Sequence, residues 1–173
     1  MATEHAAITD EQAALIESAP LFFVASVDPS LQDRPNGAGP VNLSPKGGVP
    51  LHIIDPSRVA YLDYEGSGDE TARAATLDGP VTIMVCSFNE TDAAVIRLFG
   101  NARTSSVEES PLADQLLGST ADDIALPTCQ IIEVTVDSTQ TSCGYGVPIM
   151  KYVRERTTSD RGRTFKPGAS RQR

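Results

Sequence analysis

Apolar residues occur in short runs along this chain, and most of the runs are typical of β-strands. The run from Leu21 to Val27 is compact and rich in residues that favour strands, whereas Val41 to Ser44 alternates apolar and polar positions. A turn at 89–92 separates two later runs and predicts an antiparallel hairpin. The predicted strands span 21–27, 41–44, 58–64, 81–88, 93–103 and 129–136.

Capping signals predict three short helices between these strands. Thr9 is followed three residues later by Gln12, which is a capping box, and Pro20 lies just beyond the predicted end of that helix. The predicted helices run from Thr9 to about Ser18, from Ser67 to Leu77 and from Ser110 to Gly118. Six strands with short turns and few helices indicate a mainly β fold, either a barrel or a sandwich with peripheral helices.

Charge is distributed unevenly along the 173 residues, which suit one domain and a tail. The formal net charge is −9; residues 151–173 contribute +6 with eight basic and two acidic residues, and the rest contributes −15. We predict a domain over residues 1–153 and a basic, disordered tail over 154–173. The tail could touch RNA or an anionic lipid, but it lacks a sustained pattern, and the acidic body argues against nucleic acid as a partner.

No stretch approaches the ~20 apolar residues that cross a bilayer, and the first five residues lack the basic start of a signal peptide. We therefore expect a cytoplasmic protein without a membrane partner. The three cysteines, Cys86, Cys129 and Cys143, form neither a disulfide framework nor a CxxC site, and we expect buried thiols. The two histidines are far apart, so no metal site is predicted.

The sequence lacks the common motifs of side-chain catalysis, namely GxSxG, HExxH and a Walker loop. A protein without an evident nucleophile or metal often takes its chemistry from a cofactor. The segment 66–71 follows a predicted strand and opens a helix, where free amides favour a phosphate. A plain capping box explains the segment equally well, and the following hairpin argues against a Rossmann fold.

A second candidate is the strand segment 41–47. It presents Asn42 and Ser44 on one face, with Lys46 where the strand ends. Amide and hydroxyl groups suit the polar edge of a ring or a ribityl chain, and a lysine supplies a point charge for a phosphate. A solvated edge with a surface lysine is the alternative interpretation.

Taken together, residues 10–153 resemble the pyridoxamine 5′-phosphate oxidase-like family of FMN-binding split barrels. That resemblance implies a six-stranded split β-barrel with short peripheral helices, and a homodimer with FMN in a groove between subunits. The segments that carry the resemblance are 22–26, 41–47, 55–63, 66–72, 96–100 and 143–148.

The resemblance also implies a set of cofactor-binding residues. Family oxidases carry a basic pair near 66–68 and an arginine at the position of Val41, and this chain has neither. Helix amides, Ser67, Thr71 and Lys46 would then have to hold the phosphate. By this resemblance Asn42, Leu43 and Ser44 line the ring, Lys46 approaches the phosphate, Tyr61 and Leu62 flank the ribityl chain, and Gly66, Ser67 and Gly68 lie at the phosphate.

The sequence thus favours an FMN-dependent oxidoreductase that acts on a small-molecule substrate, with no catalytic side chain assigned. The deazaflavin F420 is an alternative cofactor, because relatives of this fold also use it. Two further alternatives are a non-catalytic flavin binder and a structural dimer without a cofactor.

Overall fold

The computed structural model describes residues 2–32, 39–64, 70–118 and 129–156. The secondary structure of these ranges consists mainly of β-strands with three short helices. The helices are α1 (Asp10–Ser18), α2 (Glu70–Thr76) and α3 (Ala113–Leu117). The strands are β1 (Thr3–His5), β2 (Leu21–Val27), β3 (Val41–Gly47), β4 (His52–Asp55), β5 (Arg58–Tyr64), β6 (Pro80–Cys86), β7 (Ala94–Ser106) and β8 (Cys129–Cys143).

All eight of these strands belong to one antiparallel sheet, whose order is β3-β2-β6-β7-β8-β5-β4, with β1 paired to β8. The long strands β7 and β8 form its centre and pair from Ala94 opposite Cys143 to Ser106 opposite Gln130. A bulge interrupts their register between Phe99 and Gly100. Bulges bend and twist a sheet, so this position is where the long β7–β8 pair can curve around the core.

The sheet curves strongly around its main core. The Phe22 ring on β2 packs edge-to-face on the Tyr61 ring of β5, with 5.2 Å between centroids, although three strands separate β2 from β5 in the sheet. Such contacts require the two ends of the sheet to approach each other across the interior. Apolar side chains from the strands and α1 fill the space between them, among them Ile16, Val24, Ile83, Leu98 and Val134.

A second, smaller cluster covers the other face of β5. Ala60, Leu62 and Ile131 pack there against Leu116 of α3. Because successive side chains of a strand point to opposite faces, β5 contributes Val59 and Tyr61 to the main core and Ala60 and Leu62 to this one. Both faces of β5 are therefore buried, which fixes its position firmly.

Helix α1 is fixed by the capping box that the sequence predicts. The Gln12 side-chain oxygen accepts a hydrogen bond from the Thr9 backbone N–H, and the Gln12 backbone N–H donates one to the Thr9 hydroxyl. The same Gln12 side chain is 1% exposed and bonds to Thr139 and Thr141 of β8. The cap and these cross-links hold α1 against β8.

The predicted fold class is confirmed as mainly β with short helices, but the strand count of six is wrong, because eight strands are described. Strands β1 and β4 were missed: Thr3–His5 is short and polar, and His52–Asp55 is a four-residue edge strand. Strand β3 continues through Pro45 to Gly47, because an edge strand tolerates proline. In the part of the chain that the structure describes, no helix is long and apolar enough to cross a membrane.

The other predicted boundaries that fall within the described residues agree to within three residues, except at the end of the last strand. The third helix begins at Ala113, three residues after Ser110, and the last strand continues seven residues beyond 136, to Cys143. The extension is mostly polar, so its residues gave no apolar alternation to follow. The predicted loop residues 33–38 and the tail from 157 onward lie outside the described residues.

Candidate functional site

The inward face of β3 carries three polar side chains in a row: Asn42, Ser44 and Lys46. All three are half-buried, and Asn42 Nδ2 donates a hydrogen bond to Ser44 Oγ over 3.2 Å. Residues two apart on a strand lie ~7 Å apart on the same face, so the row extends over roughly 13 Å. We call these three residues the polar row. Within the described residues β3 pairs with β2 alone, so the polar row lies along an edge of the sheet.

Leu43 lies on the opposite face of β3 from the polar row. Its side chain is 64% exposed, and its neighbours on that face are Val41, which is 60% exposed, and Pro45. The structure therefore does not bring the Leu43 side chain together with Asn42 and Ser44, and only its backbone can border the same space. The reason is the alternation of side chains along a strand.

Lys46 is held by a carboxylate that the sequence analysis did not single out. Its Nζ lies 2.6 Å from both oxygens of Asp63, the penultimate residue of β5. The side chains of Lys46 and Asp63 are only 14% and 10% exposed, so the ion pair is largely shielded from water. Lys46 Nζ also lies 5.8 Å from the centre of the Tyr61 ring, within range of a cation–π contact.

Tyr61 and Leu62 are both core residues, on opposite faces of β5. Tyr61 is fully buried beneath Lys46, and Leu62 packs in the second cluster near α3. Of these two predicted neighbours of a ribityl chain, the structure brings only Tyr61 to the side of the polar row. An acidic residue two positions after Tyr61 necessarily shares its face, and this spacing could have revealed Asp63 in the sequence.

Thr71 lies at the other end of the polar row. Its hydroxyl is 3.5 Å from the hydroxyl of Ser26, and Ser26 pairs with Asn42 across β2 and β3. Lys46 is four residues further along β3, which corresponds to about 13 Å. Gly66, Ser67 and Gly68, which were predicted to complete the phosphate site, lie outside the described residues, as does the proposed cap at Ser67.

Helix α2 is anchored to the end of β2 by a buried carboxylate. Asp28 accepts hydrogen bonds from the hydroxyl of Ser30 at 2.5 Å and its backbone N–H at 2.9 Å, and it pairs with Arg73 of α2 at 3.0 Å. The Ser30 hydroxyl and amide and then Arg73 hold the pKa of Asp28 below its usual value. Arg73 also binds Glu70, so the first turns of α2 are tied to β2.

This anchor predicts an acid-dependent loss of stability. A lowered folded-state pKa means that Asp28 stabilises the fold above its unfolded pKa of about 3.9 and that this stabilisation disappears as the pH falls through the lower folded value. Asp28→Asn should therefore be less stable than wild type at pH 6, and the difference should shrink towards pH 2. Urea unfolding at several pH values measures this difference, and the exposed Glu90→Gln is the control. A difference that does not vary with pH would contradict the role of the carboxylate.

The segment after β8 runs back towards the end of β3. The Met150 N–H donates to the Phe88 carbonyl at 2.9 Å, and the Glu155 carboxylate lies beside Gly47 and Gly48. Most side chains from Tyr145 to Arg156 are exposed, and Tyr145 is 94% exposed. The segment 143–148, one of those that carried the family resemblance, is therefore mostly exposed and begins beside Ala93, just before β7.

The cysteines agree only in part with the expectation of buried thiols. Cys86 is buried, which raises the pKa of its thiol, whereas Cys143 is exposed at the end of β8, so that expectation is wrong there. The side chain of Cys129 lies outside the described residues. Within the described ranges no three acidic, histidine or cysteine side chains are grouped to hold a metal ion.

The polar row fits a flavin ring better than it fits a phosphate. Asn42 and Ser44 offer donors and acceptors on a half-buried edge, which matches the polar edge of an isoalloxazine. The row has one cation, Lys46, and Asp63 neutralises it. A phosphate at Lys46 would therefore meet an ion pair instead of an isolated positive charge.

The chain was compared with family models, with curated proteins and with solved structures. No family model matches the chain. A pyridoxamine 5′-phosphate oxidase family protein of Aspergillus flavus is 33% identical over 134 residues, which cover 76% of this chain and 50% of that protein. The chain therefore spans about half the length of this curated relative.

Solved structures show the same fold at low identity. A histidine-to-alanine variant of HupZ from Group A Streptococcus matches 78% of this chain and 99% of its own with a TM-score of 0.56 at 19% identity. A Clostridium acetobutylicum protein of the pyridoxinephosphate oxidase family, related to general stress protein 26, matches 77% of this chain and 86% of its own with a TM-score of 0.52 at 13% identity. At these identities the likeness concerns the fold alone.

Proposed function

Because this chain belongs to the pyridoxamine 5′-phosphate oxidase-like family, we propose that it binds FMN along the polar row of β3 and works as an oxidoreductase on a small molecule. A bound flavin supplies the transfer of hydride or electrons. The observation that carries the proposal is the polar row itself. It consists of three half-buried polar side chains on an edge strand, and the buried ring of Tyr61 lies next to Lys46.

This proposal gives each described residue of the site one role in binding FMN. Asn42 and Ser44 hydrogen-bond the polar edge of the ring, and the backbone of Leu43 borders it. Lys46 approaches the phosphate, whereas Thr71, at the opposite end of the polar row, borders the ring side of the site. Tyr61 supports Lys46 from below without touching the cofactor.

FMN is preferred over F420 because of the charge available at the site. F420 carries an acidic tail that needs several cations, and the cation of the polar row is already paired with Asp63. The absorbance of the purified protein distinguishes the candidates, since oxidised FMN and F420 have different spectra. Reduction of the bound flavin by NADH or NADPH then separates an enzyme from a flavin carrier. A colourless protein that takes up neither cofactor would contradict both proposals and favour a structural dimer.

Removing the amide of the polar row should weaken flavin binding. Asn42→Leu should raise the Kd for both FMN and riboflavin by about tenfold, because a hydrogen bond to the ring is lost and a polar edge is left facing an apolar side chain. Quenching of flavin fluorescence measures this change. The matched control is Asn101→Leu at an exposed position on β7, which should bind like wild type. Equal Kd values for wild type and Asn42→Leu would place the ring elsewhere.

We also propose that the chain forms a homodimer through the outward face of β3. Val41 and Leu43 are more than half exposed there, and the neighbouring β2 side chains Phe23 and Ala25 are only half-buried. An exposed apolar face on an edge strand suits an isologous interface, which would place the two polar rows near the junction of subunits.

A charge placed on this face should separate the subunits. Wild type should have twice the 18.4 kDa mass of the chain in light scattering at micromolar concentration. Leu43→Glu should be a monomer, because an interface cannot bury an unpaired carboxylate without a large cost. Leu77→Glu, at a leucine that is 46% exposed beyond α2, is the control and should remain dimeric. A wild-type monomer, or a dimeric Leu43→Glu, would contradict this interface.

A further inference from the structure

Asp63 binds the ammonium group of Lys46 with both of its carboxylate oxygens. Lys46 Nζ lies 2.6 Å from each carboxylate oxygen, and little of either side chain reaches water. In such surroundings charges interact more strongly than in water, so Asp63 affects any charged group that approaches Lys46. The proposed function assigns no role to the Asp63 carboxylate.

Asp63 is fixed in its place by the strand that carries it. Its Oδ1 also accepts a hydrogen bond from the Tyr64 backbone N–H at 3.0 Å, and its backbone pairs with Gln130 of β8. The carboxylate therefore cannot swing far from Lys46 when a ligand arrives. A ligand at Lys46 has to share the ammonium group, which has three N–H donors, with a fixed negative charge.

The net charge of the pair determines which ligand groups it favours. Lys46 and Asp63 together are neutral, so a neutral acceptor can bind the ammonium group without repulsion. A phosphate carries close to two negative charges at neutral pH, and Asp63 repels it. We propose that Asp63 is a specificity-determining residue that lowers the preference of the site for a phosphorylated ligand over its unphosphorylated form.

This inference rests on the proposed function for its ligand, and flavins provide a matched pair of probes, because FMN and riboflavin differ only in the phosphate. Asp63→Asn keeps an acceptor for the Tyr64 amide but removes the charge. FMN binding should tighten by about tenfold or more, the size of one added charge-assisted hydrogen bond, while riboflavin binding stays within about twofold. Asp63→Glu retains the charge and should keep the wild-type ratio of the two affinities. The exposed Asp92→Asn controls for the change in net charge.

Equal changes for the two flavins, or no change for either, would overturn the inference while leaving flavin binding intact. Wild type that binds neither flavin would refute the proposed function instead. A second arm then decides the inference: inorganic phosphate, compared with chloride at equal ionic strength, should raise the melting temperature of Asp63→Asn more than that of wild type. Equal phosphate shifts would overturn it. Asp63→Thr, which suits a strand, replaces Asp63→Asn if that variant does not fold.

Discussion

Replacing Lys46 with methionine is expected to lower the free energy of unfolding by about 3 kcal/mol, the lower end of the cost of breaking a buried ion pair. The reason is that Asp63 remains behind, largely shielded from water and without its cation. Methionine has a similar length and packs on Tyr61, so lost volume contributes little. Urea unfolding of wild type and variant measures the difference.

The double variant Lys46→Met/Asp63→Asn separates the ion pair from other effects. With both charges removed, more than half of the lost stability should return, because no unpaired charge stays in the interior. A single variant that costs less than about 1 kcal/mol would show that the pair behaves like an exposed surface pair. A double variant as unstable as the single one would mean that the lysine acts through its packing.

Gly100→Ala is expected to destabilise the fold by about 3 kcal/mol, in the upper range for overpacked sites. A Cβ at Gly100 would clash with the Thr135 carbonyl oxygen, and that oxygen belongs to the backbone of the central strand β8. The clash falls at the bulge beside Phe99, so relieving it would shift the β7–β8 register. Thermal melting and urea unfolding measure the loss.

Gly146→Ala is the matched control for this substitution, since a Cβ there meets nothing within 4 Å. It should leave the stability within about 0.5 kcal/mol of wild type, as is usual for surface substitutions. A Gly100→Ala protein as stable as this control would show that the β7–β8 pair accommodates a side chain at its bulge. The curvature of the sheet at that position would then need another explanation.

The strands that pack the core were predictable from sequence because their patterns are strong. The apolar run at β2 and the hairpin of β6 and β7 follow directly from hydrophobic residues and turn signals. Short polar strands such as β1 have no such pattern, since their pairing with β8 depends on contacts distant in sequence. The second half of β8 was missed for the same reason.

The candidate site was predictable only in its composition. Alternation along a strand placed Asn42 and Ser44 on one face, and the structure shows that Lys46 shares this face because β3 continues to Gly47. The sequence could not show that Lys46 contacts Asp63. The curvature of the whole sheet brings β3 and β5 together, and these two strands do not pair with each other. Tertiary contacts of this kind decide whether a lysine is available for a ligand.

Calorimetric titration of FMN into the purified protein tests the central proposal most directly. The proposal predicts binding that saturates at one FMN per chain and is weakened by Asn42→Leu but not by Asn101→Leu. No detectable heat of binding for FMN at micromolar protein, together with an unchanged melting temperature in excess FMN, would contradict flavin binding by this fold.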